Sequence, residues 1–514
     1  MIMEIELKLL LNPADVASFR RHPLLKRHAV GKPRAQQLTS IYFDTPDFQI
    51  KQHGAALRVR RVNGEWIQTL KGGGQVEAGL HQREEWESPV DGPHPDLAAL
   101  RKLAGHGVDW AETFTAPSLV NRLIPVFTTE FRRTAWQLRL ADGCEIELAL
   151  DQGDVRCDAA HTPISEIELE LKSGDASGLF DFALELQQKV PLRIGNVSKA
   201  ERGYALHVPP PTLVVKAAPL ELAPTVTVEQ AFQAIVGNCL AQIQGNEAGV
   251  IQGDDAESLH QMRVGLRRLR SVLGLFAEVA PCPAALLTEL EWLTAELGPA
   301  RDWEVFAGNT LTIVAGACPG EHELACLQQA ALAVARDKRQ ETAAVVGSVR
   351  YARLLLALGG WMQGARWRVS LGETERSMLA APLAKFAAQM LALYYSRLKK
   401  RGKRLRGGTD EARHRVRIAA KKVRYASEFF ESLYPAKQVN SFVGALTGLQ
   451  DALGWLNDAA VACSMLRDFA GSHPDAAHSA GFVQGYLAVR CERDVRKLGK
   501  LWKRFKPMKL PSQR

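Results

Sequence analysis

No run of 18 or more apolar residues occurs in this sequence, so nothing in it predicts a membrane-spanning helix. The N-terminus has Glu4 and Glu6 where a secretory signal needs cations and an apolar stretch, so a cytoplasmic location is expected. The eight cysteines (Cys144, Cys157, Cys239, Cys282, Cys318, Cys326, Cys463, Cys491) are scattered, with no Cys-x-x-Cys. That argues against a structural zinc site or a disulfide framework and for reduced thiols. A phosphate-binding P-loop is missing: Gly31-Lys32 is followed by Pro33, and Gly499-Lys500 by Leu501. Neither His-Glu-x-x-His nor Gly-x-Ser-x-Gly occurs. What remains is a 514-residue chain of ordinary apolar content, long enough for two or three domains that each bury a core.

Charge is divided unevenly. Residues 1–224 hold 26 Lys and Arg against 29 Asp and Glu, and residues 225–514 hold 39 against 27. The C-terminal part is therefore the half that attracts polyanions. Between the halves, residues 207–224 contain Pro209, Pro210, Pro211, Pro219 and Pro224. Proline removes backbone donors and favours extended chain, so this segment predicts a stiff linker.

The N-terminal half is patterned in twos. Glu4, Glu6 and Lys8 alternate with Ile5, Leu7 and Leu9, which predicts a strand with one charged and one apolar face. A half-exposed edge strand with solvated charges would look the same. The pattern returns, however. Arg58 and Arg60 share a face, Lys71 closes a later strand, Arg83, Glu85 and Glu87 share a parity, and Arg133 lies on the next. Glu145, Glu147 and Asp151 oppose Ile146, Leu148 and Leu150, and Glu166, Glu168 and Glu170 oppose Ile167, Leu169 and Leu171. Lys199 adds a further cation. A closed antiparallel barrel with a charged lumen accounts for ionic residues on nearly every strand. Its cations would hold a polyanion, and its carboxylates the hard metal ions that accompany one.

Glu4-Ile-Glu-Leu-Lys8 resembles the Glu-x-Glu-x-Lys signature of the CYTH superfamily, the triphosphate tunnel metalloenzymes. Arg58 and Arg60, the Thr-Leu-Lys at Lys71, the strand ending at Asp151, the Glu-Ile-Glu at Glu166 and Glu168, and Ser198-Lys199 follow in family order over residues 1–206. The resemblance implies an eight-stranded antiparallel tunnel that holds a triphosphate with Mg²⁺ or Mn²⁺. By resemblance and by chemistry, Lys8, Arg58, Arg60, Lys71, Arg83, Arg133 and Lys199 would clamp phosphate. Glu4, Glu6, Asp151, Glu166 and Glu168 would hold metal ions, with Glu147 and Glu170 joining by parity. Glu4, Glu6 and Lys8 would be catalytic. Two ions would activate a water for in-line attack on tripolyphosphate, leaving pyrophosphate and phosphate. Adenylyl cyclase and thiamine-triphosphatase activities would use the same clamp, and an inactive tunnel in a polyphosphate-binding protein is a third alternative.

After the linker, helical periodicity dominates and an internal repeat emerges. His260-Gln-Met-Arg-Val-Gly-Leu-Arg-Arg-Leu-Arg270 aligns with His414-Arg-Val-Arg-Ile-Ala-Ala-Lys-Lys-Val-Arg424. Leu297-Gly-Pro-Ala-Arg-Asp302 aligns with Leu453-Gly-Trp-Leu-Asn-Asp458. Two related helical units are expected, over about 225–370 and 380–510. At about 100° per residue, His260, Arg263, Arg267 and Arg270 fall in an arc of roughly 80°, a basic line about 15 Å long. His414, Arg417, Lys421 and Arg424 repeat it. Neither segment contains an acid, whereas a solvated helix face usually mixes in Glu at i±4. Asp302 and Asp458 are either partners of these cations or helix caps. A further basic run, Arg397–Arg406, suits polyphosphate or non-specific nucleic acid.

The repeated His-x-x-Arg-x-x-x-(Arg/Lys)-(Arg/Lys)-x-Arg resembles the CHAD domain, the conserved histidine α-helical domain, over residues 225–510. That resemblance implies a helical bundle that binds inorganic polyphosphate along His260, Arg263, Arg267, Arg270, His414, Arg417, Lys421 and Arg424. The predicted class is therefore α+β multidomain: a tunnel domain at 1–206, a linker at 207–224 and a helical domain at 225–510. No membrane partner is expected, and nucleic acid is not the expected ligand.

Overall fold

The computed structural model describes residues 2–62, 64–104, 119, 121–209, 213–253, 255–318, 322–403, 405 and 409–512. Pro210, Pro211, Arg404 and Arg406 lie outside them. The chain divides into two compact units, one of residues 1–212 with 347–366 and one of residues 213–346 with 367–514.

The first unit is a closed antiparallel barrel. Its strands are β1 (Ile2–Leu11), β2 (Arg34–Asp44), β3 (Ala55–Val62), β4 (Glu65–Glu77), β5 (Leu80–Val90), β6 (Ile124–Arg139), β7 (Glu145–Cys157) and β8 (Ala160–Ser173). Their order around the barrel is β5-β4-β3-β2-β6-β7-β8-β1, and β1 pairs back onto β5 to close it. A short β9 (Leu192–Ile194) adds to β1 at Leu9–Leu11. The alternation is inverted relative to an ordinary sandwich, in which apolar side chains point inward. Here the apolar residues point outward. Leu7, Leu9, Leu148, Leu150, Ile167 and Leu169 are buried beneath Leu179, Phe180 and Phe182 of the helix Ser177–Leu186. The helix Val349–Gln363 belongs to the same unit and adds Leu356 to that core. A Cβ at Gly359 would meet the Phe180 ring at 2.3 Å, so the two helices approach as closely as a glycine allows. With the outside covered, the charged parity is left facing the lumen.

One end of the barrel interior is apolar. Leu38, Phe131, Val155 and Ile164 carry on the inward parity of Ser40, Arg133, Asp151 and Glu166, and all are essentially buried. The charged lumen lies along the rest of the strands.

The second unit is helical. The segment 213–223 has no helix or strand and is tied to its own unit. Val215 exchanges hydrogen bonds with the Asn246 amide at 3.1 and 2.8 Å, and the Leu222 N–H donates to Ser432 Oγ at 3.0 Å. The two basic helices, Ala256–Leu275 and Asp410–Phe429, pack on one another. Each buries its apolar stripe: Leu259, Met262, Leu266 and Leu269 in one, Val416, Ala420 and Val423 in the other. The helix containing the second Leu-Gly motif runs from Ala436 to Ser472, through Gly454. A helix-interior glycine costs about 1 kcal/mol, and packing of Ala459, Ala462, Leu466 and Phe469 in the apolar core with Val483 and Leu487 offsets it. Among the described residues, no single helix is long and apolar enough to cross a membrane.

Candidate active site and anion site

The barrel encloses a cavity of about 270 Å³ lined mainly by ionic side chains. Its two walls differ in sign. Every lining carboxylate comes from four neighbouring strands: Glu85 and Glu87 of β5, Glu4 and Glu6 of β1, Glu168 and Glu170 of β8, and Glu147 of β7. The other four strands contribute Arg133 (β6), Tyr42 (β2), Arg58 and Arg60 (β3) and Lys71 (β4), with no lining carboxylate among the described residues. Lys8, Arg83 and Lys172 are the cations on the acidic wall, and Lys199 reaches in from the helix Lys199–His207. All the tunnel residues expected from sequence face this lumen or lie just behind it.

Register builds the acidic wall. Lys8 sits opposite Glu168, Glu6 opposite Glu170, Asp151 opposite Glu166, and Arg133 opposite Asp151. Carboxylate oxygens of Asp151, Glu166 and Glu168 come within 4.8 Å of one another, and all three residues are buried. Lys199 Nζ lies 2.7 Å from Asp151, 2.5 Å from Glu166 and 2.8 Å from Glu168. Lys8 Nζ contacts Glu168 and lies 3.3 Å from Glu166 and 3.5 Å from Glu6. Arg133 grips Asp151 with two hydrogen bonds, at 2.8 and 2.7 Å, and also reaches Glu168. Burial alone would raise the Glu166 carboxyl, but Lys199 and Lys8 overcome it and hold the group at about 2. The same two ammonium groups and Arg133 hold Glu168 well below the carboxylate range, again against burial. Burial would likewise depress Lys8 and Lys199, yet the carboxylates keep both amines above their ordinary value. Glu166 and Glu168 are therefore ionised and both amines charged at any working pH. Three clustered carboxylates, with no sulfur or imidazole among them, are a donor set that fits a hard divalent cation.

On the basic wall, Arg58 and Arg60 are less compensated than Arg133 and Lys71. Arg58 Nη2 lies 3.7 Å from Glu85 and 4.0 Å from Glu87. Arg60 donates to the Ser40 hydroxyl at 3.0 Å and lies over the Phe131 ring, with Arg133 and Lys199 over the same ring. Burial, then the charges of Arg58 and Arg133, push Arg60 down to about 9. A buried cation held by a hydroxyl and a ring face is poised for an anion. Replacing Arg58 or Arg60 with Ala should raise KM for a polyphosphate substrate about 10-fold or more, since a charge-assisted hydrogen bond contributes about 1.5–3 kcal/mol. Unchanged steady-state kinetics in both variants would remove them from the site.

Elsewhere the lumen is more self-contained. Lys71 pairs with Glu4 at 2.5 Å and Glu85 at 3.3 Å, and Arg83 approaches Glu201 at 3.7 Å. Glu170 is taken up by Lys172 at 2.5 Å, away from the three-carboxylate group. Lys172, Tyr42 and Arg202 escaped the sequence argument. Tyr42 stacks on Phe127 and lines the cavity among Arg58, Arg60 and Lys199, whose charges lower its phenol although burial acts to raise it. Arg202 contacts Glu166. Its signal was present: Ser198 and Glu201 form a capping box, so Lys199 opens a helix and Arg202, three residues on, returns to the same face.

In the helical unit the eight expected residues do not behave alike. Arg270 is exposed and lies 3.1 Å from Glu291, and Arg424 lies 3.1 Å from Glu428. His414 meets the Asn457 side chain at 3.1 Å. The rest form a shared positive field. Burial, then Arg267, Arg417 and Arg424, depress Lys421 to about 7. Burial, then Arg301 and the neighbouring arginines, depress His260 to about 4. Arg263 falls to about 10 through burial, partly offset by Asp302, with Arg267 and Arg301 adding to the fall. Arg263 Nε and Nη1, Arg267 Nε and Arg417 Nε are shielded from solvent and make no hydrogen bond. Asp302 and Asp458 lie within helices, so neither is an N-cap; their charges act on Arg263 and Arg417, and on each other. Arg268, adjacent in the motif, is buried and donates to Gln242 and Asn238 at 2.9 and 2.8 Å. Its counterpart Lys422 is exposed; partial desolvation of its amine, then the charges of Arg401, Arg397 and Arg270, lower it.

Two family models match. Residues 3–204 match the CYTH domain and residues 234–467 the CHAD domain. An inorganic triphosphatase from Haemophilus influenzae is 35% identical over 207 residues, which is 40% of this chain and 55% of that protein. The chain thus spans about half the length of that curated relative. A crystal structure of the CHAD domain from the plant Ricinus communis is 38% identical, covers 59% of this chain and 99% of its own, and superposes with a TM-score of 0.53.

Proposed function

The chain is a CYTH–CHAD protein, and from that premise we propose that its barrel is a divalent-metal-dependent inorganic triphosphatase that hydrolyses tripolyphosphate to pyrophosphate and phosphate. The observation that carries this is the division of the lumen into an acidic wall and a facing basic wall. A polyphosphate chain needs cations along its oxygens, and its metal ions need carboxylates on the other side. The name of the Haemophilus relative points the same way.

Arg58, Arg60 and Lys71 hold the phosphate oxygens, with Tyr42 donating from the same wall. Asp151, Glu166 and Glu168, with Glu4 and Glu6, would hold Mg²⁺ or Mn²⁺, which when bound neutralises developing charge and lowers the pKa of water. Lys8 and Lys199 keep the carboxylates ionised and place two ammonium groups beside the transferred phosphoryl. Arg133 fixes the orientation of Asp151. A water attacks the terminal phosphorus, its P–O bond forms as the bridging P–O bond breaks, and pyrophosphate leaves. Positioning and charge stabilisation supply most of such catalysis.

Phosphate release from tripolyphosphate, ATP and thiamine triphosphate, each with Mg²⁺, with Mn²⁺ and with chelator, tests this. Tripolyphosphate should be cleaved fastest, and chelator should abolish release. Equal or faster turnover of an organic triphosphate would replace this substrate with that one, and metal-independent release would remove the metal.

A second proposal concerns the helical unit, where the shielded, unpaired guanidinium nitrogens of Arg263, Arg267 and Arg417 are the supporting observation. Buried donors without acceptors are costly, and a linear polyphosphate would satisfy them. Because Lys421 lies near 7, the charge it adds grows as pH falls. Polyphosphate affinity of the full chain should therefore strengthen from pH 8.5 to pH 6, with proton uptake on binding near pH 8. A flat profile by calorimetry, or one that weakens on acidification, would exclude Lys421 from the contact.

A further inference from the structure

We propose that Gly195 is a positioning residue that sets the reach of the Lys8 ammonium, by giving its hydrocarbon stem the space a side chain would occupy. This inference rests on the active-site reading of Lys8.

Lys8 is 2% exposed, and its amine is held among Glu6, Glu166 and Glu168. Its backbone is held from both sides. The Lys8 N–H donates to the Gly79 carbonyl at 3.0 Å, and the Gly195 N–H donates to the Lys8 carbonyl at 2.9 Å. Gly79 N–H in turn donates to Asn196 Oδ1 at 3.1 Å, and the buried His81 ring meets the Gly195 carbonyl at 2.9 Å through Nε2. The segment after β9 is thus clamped against β1 beside the lysine.

Gly195 has no left-handed backbone that would call for glycine. What it lacks is room. A Cβ there would lie 2.9 Å from Lys8 Cγ, 3.2 Å from Lys8 Cδ and 3.3 Å from Leu10 Cδ2. Those are the stem atoms of a buried lysine, not the free end of a surface side chain, so the stem must move by several tenths of an ångström. A shift of the stem is carried to the amine at its far end and draws it from the carboxylates that hold it. Misplacement of a reacting group by about 1 Å costs up to about 100-fold in rate, so a smaller shift should cost about 10-fold.

The test is a double-mutant cycle in the full-length protein: Gly195→Ala, Lys8→Ala and both together, assayed on tripolyphosphate with Mg²⁺ alongside a thermal melt. Gly195→Ala should lower kcat about 10-fold, leave KM within about twofold and keep the melting temperature close to the parent's. In the Lys8→Ala background the same change should cost nothing further, because the stem it displaces is gone. Equal losses in both backgrounds would mean that Gly195 acts elsewhere and would overturn the proposal while leaving Lys8 in the site. A fully active Gly195→Ala enzyme would overturn it as well. Full activity in Lys8→Ala would overturn the active-site role of Lys8 first, and the positioning role with it.

Discussion

Glu168→Gln should leave a folded protein that releases phosphate from tripolyphosphate roughly 100-fold or more slowly, the scale of losing one preorganised charged contact. Of the three clustered carboxylates, Glu168 is the one that lines the cavity; Asp151 and Glu166 lie fully buried behind it. An amide of the same shape keeps the packing but is a poor ligand for a hard cation. Lys199 keeps Asp151 and Glu166 as partners, and Lys8 keeps Glu166 and Glu6, so no cation is stranded. Glu166→Gln differs. It withdraws, from a fully buried position, the carboxylate that Arg202 contacts, and although Lys8 and Lys199 keep Glu168, breaking the Arg202 pair is destabilising. Stability should fall with activity there, and activity alone at Glu168. Initial rates at saturating Mg²⁺ and a melting curve for each variant separate the two. Parent-level turnover by Glu168→Gln would remove the three-carboxylate group from the chemistry.

The charged lumen was legible in the sequence for a simple reason. Period 2 assigns every second residue to one face, and ionic residues on one parity of strand after strand are hard to place except inside a barrel. The segregation of the walls was not legible. Glu85 and Glu4 share a wall only because β1 closes onto β5, and Arg133 faces them because β6 pairs with β2. Strand order is a long-range property that the alternation does not encode. Lys199 was found as a cation, but Arg202 was not, since a helix changes the period from 2 to 3.6 at Ser198. In the helical half, the paired positions Arg268 and Lys422 look equivalent in the repeat, yet one is buried against Gln242 and Asn238 and the other is exposed. The helix Val349–Gln363 shows why periodicity alone stops short. It is apolar around most of its circumference, which says that it is buried but not against what, and its partner is the Ser177–Leu186 helix of the barrel unit.

In the full-length protein, Arg263→Ala combined with Arg267→Ala should weaken binding of long-chain polyphosphate about 100-fold, with Arg417→Ala combined with Lys421→Ala doing comparable damage. Each lost charge-assisted contact contributes about 1.5–3 kcal/mol, and two act together. Arg263 Nε and Nη1 and the Nε atoms of Arg267 and Arg417 make no hydrogen bond, so truncation loses none at those atoms. It does withdraw the cation whose charge acts most on Asp302 or Asp458, so a melting curve accompanies each binding measurement. The salt dependence should report the same loss. By the counterion logic of single-stranded nucleic acids, the slope of log affinity against log salt should flatten by about 0.7 for each contact removed. Arg270→Ala is the internal control. That side chain is exposed and lies beside Glu291, so its removal should change affinity far less than the loss of Arg263 and Arg267. Chelator should leave binding intact, which separates this surface from the barrel, where hydrolysis is proposed to need metal. Equal affinity in both double variants and the parent would make the basic lines ordinary solvated faces. Duplex DNA bound as tightly as polyphosphate would make them a general polyanion surface.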